Sequence, residues 1–472
     1  MYRLSAAIAP LAQQVWVACG PGHNGHDGLI AATHWAQRLR QMGRGTVTVT
    51  LLPTQRPLSA ETQTWMDLAR DAGVVFDDTA PDLPDLAIDA LYGIGLDRTV
   101  HGVAADWIRQ LQRAAHPVVC VDVPSGLDAD RGCWWVEKLE PRPSPQRHTL
   151  ALLTLKAGLF THNGRTASGR IWWDDLQTAD EDRPSADAVT AWLYGPSGTN
   201  TTDWATPQSH KGTRGDLIVI GGQDDPASGS MRGAALLAAR AGLRAGAGRV
   251  FVGLLAASSA PAIMAHDPTH PELMFRPAAA LSRATGLPDA VTVCGCGGGK
   301  RVSAVLHDVL RHPGPVVLDA DALNAIARQP DLQATTAQRH AHGRITVLSP
   351  HPLEAARLLD TSTQAVQDDR LAAAQALATR YCSIVALKGS GTVITAPGAC
   401  LYINPTGNGL LSTGGTGDVL AGLIGASLCG DGAADPLGSV LLAVYRHGLT
   451  ADHWPGHQGP MVASDVIAQW AP

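Results

Sequence analysis

Short β-branched runs alternate with Ala/Leu-rich stretches along the whole chain, and this alternation constrains the fold more than any other feature. In the first half the expected strands are 15–19, 47–52, 86–89, 118–121 and 149–155, with helices at 28–41 and 60–72. In the second half strands are expected at 217–220, 250–252, 290–294, 316–319, 346–348, 384–387 and 393–394, with helices at 419–428 and 438–446 closing the chain. Strands joined through helices lie parallel in a sheet covered on both faces. The predicted class is therefore α/β, with two domains, each a doubly wound and mostly parallel sheet. A length of 472 residues also exceeds one ordinary core. Between residues 178 and 210 the texture turns polar and rich in Pro, Ser and Thr, centred on 195–200. The domains are accordingly placed at 1–187 and 206–472, with a linker at 188–205.

Composition excludes several function classes. Hydrophobic residues at 45% mark a globular chain, and 50 glycines with 31 prolines mark many tight turns. Charged residues make up only 17%, the net charge is −6 and no Lys/Arg-rich run occurs, so no nucleic-acid partner is expected. No apolar run is long enough to span a bilayer, so no membrane partner is expected either. The short apolar opening at 1–12 reads as mature sequence. Eight cysteines are scattered without a CxxC pair, and Cys120 sits inside the apolar run 118–121. That is the pattern of reduced, buried thiols in a cytoplasmic protein. Cys294 and Cys296 lack a histidine at ligand spacing and are not expected to bind metal.

The segment NPTGNGLLSTGGTGDVLAGLIG, residues 404–425, carries the clearest chemistry. Gly414, Gly415 and Gly417 leave the backbone bare where a helix begins, so several N–H groups and the helix dipole face one anion. Asp418 at that mouth would repel a phosphate, which makes it a base for the group being phosphorylated or else a plain N-cap. In the first half, 20–28 (GPGHNGHDG), 88–96 (IDALYGIGL) and 121–128 (VDVPSGLD) each leave the C-terminal end of a strand. Open parallel sheets bind ligands at that edge. Asn24, Asp89 and Ser125 offer hard oxygen ligands to a cation, and Asp122 is placed to shuttle a proton.

These three first-half loops resemble the NAD(P)HX epimerases, whose typical loop reads GPGNNGGDG, over nearly all of 15–175. The resemblance implies a Rossmann-like domain in which hydrated nicotinamide touches His23, Asn24, Gly25, His26, Asp27, Gly93, Ile94, Gly95, Leu96, Asp97, Arg98, Thr99 and Asp122. It also implies a potassium ion among Asn24, Asp89 and Ser125, with Asp122 catalytic. His23 and His26 stand where the family loop has Asn and Gly. The family's helical segment before the first strand is missing from this reading, so an N-terminally shortened domain is expected. Lys156 matches a family lysine, or is a surface charge at a strand end.

The second half resembles the ADP-dependent NAD(P)HX dehydratases of the ribokinase-like superfamily. The likeness runs through His210-Lys211-Gly212, Gly221-Gly222, Gly233-Ala234-Ala235, 244–248 (RAGAG), 270–274 (HPELM), 318–324 (LDADALN), 349–354 (SPHPLE), 387–392 (LKGSGT) and the 414–418 turn. It implies that Lys388, Gly389, Ser390, Gly391, Thr392 and Gly417 line the nucleotide site. Ala234, Gly297, His351 and Asp418 would face the hydrated nicotinamide. The 414–417 amides and a magnesium ion would hold charge as ADP phosphorylates the substrate and phosphate is eliminated. Read blandly, Asp319 and Asp321 cap a helix, His351 is a turn residue and Lys388 is solvated. The expected partners are hydrated NADH or NADPH, ADP and further copies of the chain. A vitamin or sugar kinase of the same superfamily, or a first half serving only as a binding module, are the competing readings.

Overall fold

The computed structural model describes residues 1–54, 57–140, 142–179, 185, 188–196, 210–225, 229–256, 266–284 and 286–470. They divide into two compact units, Met1–Val189 and Thr190–Pro472.

Among the described residues of the first unit, seven strands form one sheet: β1 (Gln14–Cys19), β2 (Thr46–Leu51), β3 (Val75–Phe76), β4 (Leu86–Ala90), β5 (Val118–Val121), β6 (Arg147–Leu152) and β7 (Arg170–Asp174). The order is β3-β2-β1-β4-β5-β6-β7 and every pairing is parallel. Both faces are covered, which is why β1, β4 and β5 read as unbroken apolar runs. One face packs around Trp35 and the other around Trp107 and Ile108. The helix Gly102–Arg113 shows the cause: Ala104, Ala105, Ile108 and Leu111 recur at helical spacing and are all buried. Strand order reverses between β1 and β4, which opens a crevice at their C-terminal ends.

A helix, Tyr2–Ile8, precedes β1 where none was expected. Its Ser5 is buried and accepts a 2.9 Å hydrogen bond from the Trp35 indole, and Tyr2, Leu4 and Ile8 pack on the same cluster. The first helix of the loop–helix junction also starts early, at His23 instead of 28.

In the second unit an 11-stranded sheet comprises β8 (Ala191–Leu193), β9 (Asp216–Asp225), β10 (Gly229–Ser230), β11 (Arg249–Ala256), β12 (Met274–Phe275), β13 (Val291–Cys294), β14 (Val316–Leu318), β15 (Thr346–Leu348), β16 (Ile384–Leu387), β17 (Val393–Thr395) and β18 (Leu401–Ile403) among the described residues. The path is β12-β11-β9-β13-β14-β15-β16-β17-β18-β8, with β10 hairpinned on β9. From β12 to β16 all neighbours are parallel, whereas β17 runs antiparallel to β16 and β18. Within the stretch expected to be linker, β8 instead pairs in parallel with β18, its main chain completing the edge of that sheet. Residues 197–209, including most of the expected linker centre, lie outside the described residues. Order reverses between β9 and β13, so this sheet also has a crevice at its C-terminal edge.

The helix Thr416–Ser427 is apolar on nearly all sides and buried, as such a pattern requires. It packs on the helix Arg232–Arg244 at glycine-only distance, since a Cβ on Gly422 would overlap the Ala238 carbonyl oxygen. Among the described residues no helix is long and apolar enough to cross a membrane.

Candidate functional sites

In the first unit, three strand ends deliver the predicted residues to one edge. Asn24 and Asp27 lie in the first turns of the helix His23–Gln41, which follows β1. Gly25 lets that turn sit on the loop, since a Cβ there would overlap the Gly20 carbonyl oxygen. Asp89 is the last residue but one of β4 and is almost fully buried. Its carboxylate accepts from the Ser125 hydroxyl at 2.5 Å and from the Ser125 amide at 2.9 Å. Burial pushes the Asp89 carboxyl up, against the pull of those hydrogen bonds. The Ser125 hydroxyl also lies 2.9 Å from the Tyr92 amide and 3.2 Å from its carbonyl oxygen. The Asn24 side-chain oxygen faces Gly93, while its buried Nδ2 has no hydrogen-bond partner.

Asp122 follows β5 with φ 65°, and accepts from the Leu152 amide at 3.1 Å and from the Lys156 ammonium. Lys156 is not a surface charge: its side chain is 11% exposed and buried against Asp122. Burial, reinforced by the Asp122 charge, raises the Asp27 carboxyl while the neighbouring amino terminus and histidines oppose the shift. Of the 93–99 loop, Gly93 reaches Asn24 and Leu96 packs on the cluster around Trp107 and Ile108. Ile94, Gly95, Asp97, Arg98 and Thr99 are exposed.

In the second unit, the loops after β13, β14, β15 and β16 meet the N-terminus of Thr416–Ser427. Gly415, at φ 92°, caps that helix, so Asp418 is not its N-cap but stands in its first turn. The Asp418 carboxylate, the Asp319 carboxylate and the Cys296 sulfur lie within 4.8 Å of one another. Burial, aided by the Asp319 charge, raises Asp418 to about 6. Asp319 is 2% exposed and accepts from Lys388 at 2.5 Å and from the Ser349 hydroxyl at 2.9 Å. It is thus no helix cap, and Lys388 is no solvated strand end. Burial works against the Lys388 ammonium, but Asp319 and Glu354 outweigh it and its pKa rises.

Gly417 lies beside the Lys388 ammonium, and Gly297 beside Ala234. His351 caps the helix Pro352–Leu359 in a reciprocal box with Glu354, its Nδ1 accepting from the Leu353 and Glu354 amides. Burial lowers the His351 pKa and raises the Glu354 carboxyl to about 7. The 389–392 loop is held from behind by Arg370, whose guanidinium donates to the carbonyls of Leu387, Lys388 and Gly391.

Four residues here escaped the predicted site sets: Lys156, Asp319, Glu354 and Arg370. The first three lay in quoted motifs whose bland readings competed. Arg370 carried no signal, because a single arginine in a helical stretch does not reveal that it is buried under a loop.

Two doubly wound sheets, each with buried carboxylates, a lysine ion pair and a glycine-rich helix start at its switch-point edge, define a two-site α/β enzyme. A family model described as NAD(P)H-hydrate dehydratase matches residues 217–472, and one described as YjeF-related protein N-terminus matches 2–158. A bifunctional NAD(P)H-hydrate repair enzyme of Escherichia coli (strain K12) is 32% identical over 99% of this chain and 86% of its own length. An ADP-dependent (S)-NAD(P)H-hydrate dehydratase of Neisseria meningitidis is 38% identical over 52% of this chain and 78% of its own. The crystal structure of a Bacillus subtilis ADP/ATP-dependent NAD(P)H-hydrate dehydratase, co-crystallized with ATP/Mg2+, covers 56% of this chain and 90% of that one at 30% identity, with a TM-score of 0.45. The chain belongs to the bifunctional NAD(P)H-hydrate repair enzymes.

Proposed function

We propose that the second unit dehydrates the S epimer of hydrated NADH or NADPH at the expense of ADP, releasing AMP and phosphate, and that the first unit interconverts the R and S epimers. The observation that carries this reading is Asp418. It is a half-buried carboxylate raised to about 6, in the first turn of a helix whose bare N-terminus suits a phosphate. A base works best with a pKa near the working pH. Asp418 takes the proton of the C6 hydroxyl as the terminal phosphoryl of ADP moves to that oxygen. The amides of Gly414, Gly415 and Gly417 meet the developing charge, and loss of phosphate from C6 together with a proton from C5 restores the dihydronicotinamide. Lys388 and Gly389 to Thr392 hold the nucleotide, with Asp319 and Arg370 keeping that loop in place. Ala234, Gly297 and His351 face the nicotinamide.

The protein donors around Asp418 include the soft Cys296 sulfur and do not form the all-oxygen cage that magnesium prefers. Magnesium therefore belongs with the ADP phosphates, and no step here depends on a resident ion. In the first unit the donors fit potassium. Asn24, Asp89 and Ser125 are hard oxygen ligands, Asp89 is a buried carboxylate, and the Asn24 side-chain oxygen faces Gly93, next to the Tyr92 amide that the Ser125 hydroxyl contacts. When bound, potassium would supply positive charge at this sheet edge. Asp122, ion-paired with Lys156, would take the proton of the C6 hydroxyl as the C6–N1 bond opens to the aldehyde and return it as the ring recloses on the other face. With all eight cysteines free, the protein is proposed to work in the cytoplasm.

The test incubates S-NADHX, magnesium and ADP with wild type and Asp418→Asn, following dihydronicotinamide absorbance and released AMP. Wild type recovers absorbance with one AMP per turnover, and the variant loses about 10²–10⁴-fold in kcat. Full turnover by the variant, or a stable phosphorylated product, would sink the assignment.

A further inference from the structure

We propose that His23, His26 and Glu61 form a binding site for a divalent transition-metal ion of the zinc type. His23 and His26 open the helix His23–Gln41 three positions apart, and so share a face. Their rings stand perpendicular with centroids 5.6 Å apart. Glu61 lies in the first turn of the helix Ala60–Ala72, which packs against the first. One ligand atom from each residue falls within 4.8 Å of the others.

His26 supplies the decisive observation. Its side chain is only 9% exposed, and its buried Nδ1 has no hydrogen-bond partner. A buried, unsatisfied imidazole nitrogen is costly unless something binds it. Its other nitrogen, Nε2, lies 2.8 Å from the Thr62 hydroxyl. With Nε2–H donated to Thr62, the Nδ1 lone pair faces Glu61. The Nδ1 to Glu61 Oε1 distance is 3.6 Å, too long for a charge-assisted hydrogen bond. It is close to the roughly 3.3 Å that separates neighbouring ligand atoms around a tetrahedral zinc ion with bonds of about 2.0–2.1 Å.

The Thr62 hydroxyl is itself fixed, 2.8 Å from the Ser59 hydroxyl, which caps Ala60–Ala72. This is the outer support that metal-binding histidines ordinarily have. Two imidazoles and a carboxylate select zinc, cobalt or nickel over calcium and magnesium, and leave one position for water. Both histidines occupy positions that are Asn and Gly in the family loop, so the donor set arises from this chain's own residues. The site lies among residues that the epimerase likeness would set against hydrated nicotinamide, so its test reads metal binding and not turnover.

The test uses full-length, tag-free, chelator-treated protein, titrated with Zn2+ in competition with a chromophoric chelator. Wild type should bind one ion per chain tightly. His23→Asn and Glu61→Gln, both at exposed side chains, should each weaken binding at least about tenfold while circular dichroism stays unchanged. Co2+ in wild type should give the strong visible absorption of a four-coordinate site, lost in both variants. Equal Zn2+ affinity in the three proteins, no tight site in wild type, or only the weak spectrum of octahedral Co2+ would overturn the proposal.

Discussion

Asp418 and Asp319 stand in one cluster, yet their surroundings give them different work. Asp319 is committed to Lys388 and Ser349, whereas Asp418 faces the open edge with its carboxyl raised to about 6. The base must be ionised to act, so dehydration should rise through about pH 6 and level off above it, as kcat/KM measured across pH 5–8 will record. The same shift acts on stability. The folded state holds this proton more tightly than the unfolded chain, so the contribution is present below the ordinary aspartate pKa of 3.8 and lost as pH rises through about 6. Asp418→Asn should therefore unfold at higher urea than wild type at pH 7.5, by roughly 1–3 kcal/mol, with the gap closing toward pH 4. A gap that ignores pH would mean that Asp418 is not the raised group. The GGTGD turn made Asp418 legible in the sequence. Asp319 was ambiguous because its partner Lys388 lies 69 positions away, and no local pattern reveals that pairing.

Among the elements, Thr416–Ser427 carries both the core and the chemistry. Its N-terminus presents Asp418, while its middle depends on the bare Gly422 backbone lying against Ala238. Gly422→Val would drive that helix off the helix Arg232–Arg244, costing about 1–3 kcal/mol by overpacking. Because the displaced helix holds the proposed base, dehydration should fall as well, whereas epimerisation should be unchanged. A thermal melt and the two assays will distinguish this from general damage, in which both activities decline together. Elements of this sort were legible when side-chain pattern alone produced them. Parallel strands such as β5 and β15, buried on both faces, announce themselves as apolar runs. The turns opening the helix His23–Gln41 were not legible, because GHNGHDG has the composition of a loop. They become helix because Gly25 can rest on the Gly20 carbonyl while Gly20 itself lies against the Leu91 carbonyl, a tertiary contact. The helix Tyr2–Ile8 was missed for a related reason: seven residues are too few for a periodic signal, and burial of Ser5 under Trp35 holds them.

At the scale of the whole molecule, two units with separate sheets, cores and switch-point edges should carry two separable activities. The S epimer is consumed in one unit, and the R epimer reaches that fate only through the other. The test crosses two substitutions. Asp122 sits at φ 65°, a left-handed backbone that Asn adopts readily, so Asp122→Asn removes its charge and its pairing with Lys156 without forcing the turn to rearrange. With this variant, S-NADHX and ADP should be converted at the wild-type rate, while R-NADHX should disappear only as fast as it epimerises spontaneously. Asp418→Asn should do the reverse: neither epimer returns to NADH, but a single epimer supplied pure should relax to the R/S mixture at the wild-type rate, as chromatography of the two forms will record. Mixing the two variants should restore conversion of R-NADHX, since each contributes the step the other lacks and the intermediate S epimer diffuses freely. If Asp122→Asn epimerises normally, the proton moves through another group, and Asp27, raised by its burial beside Asp122, is the one to replace next.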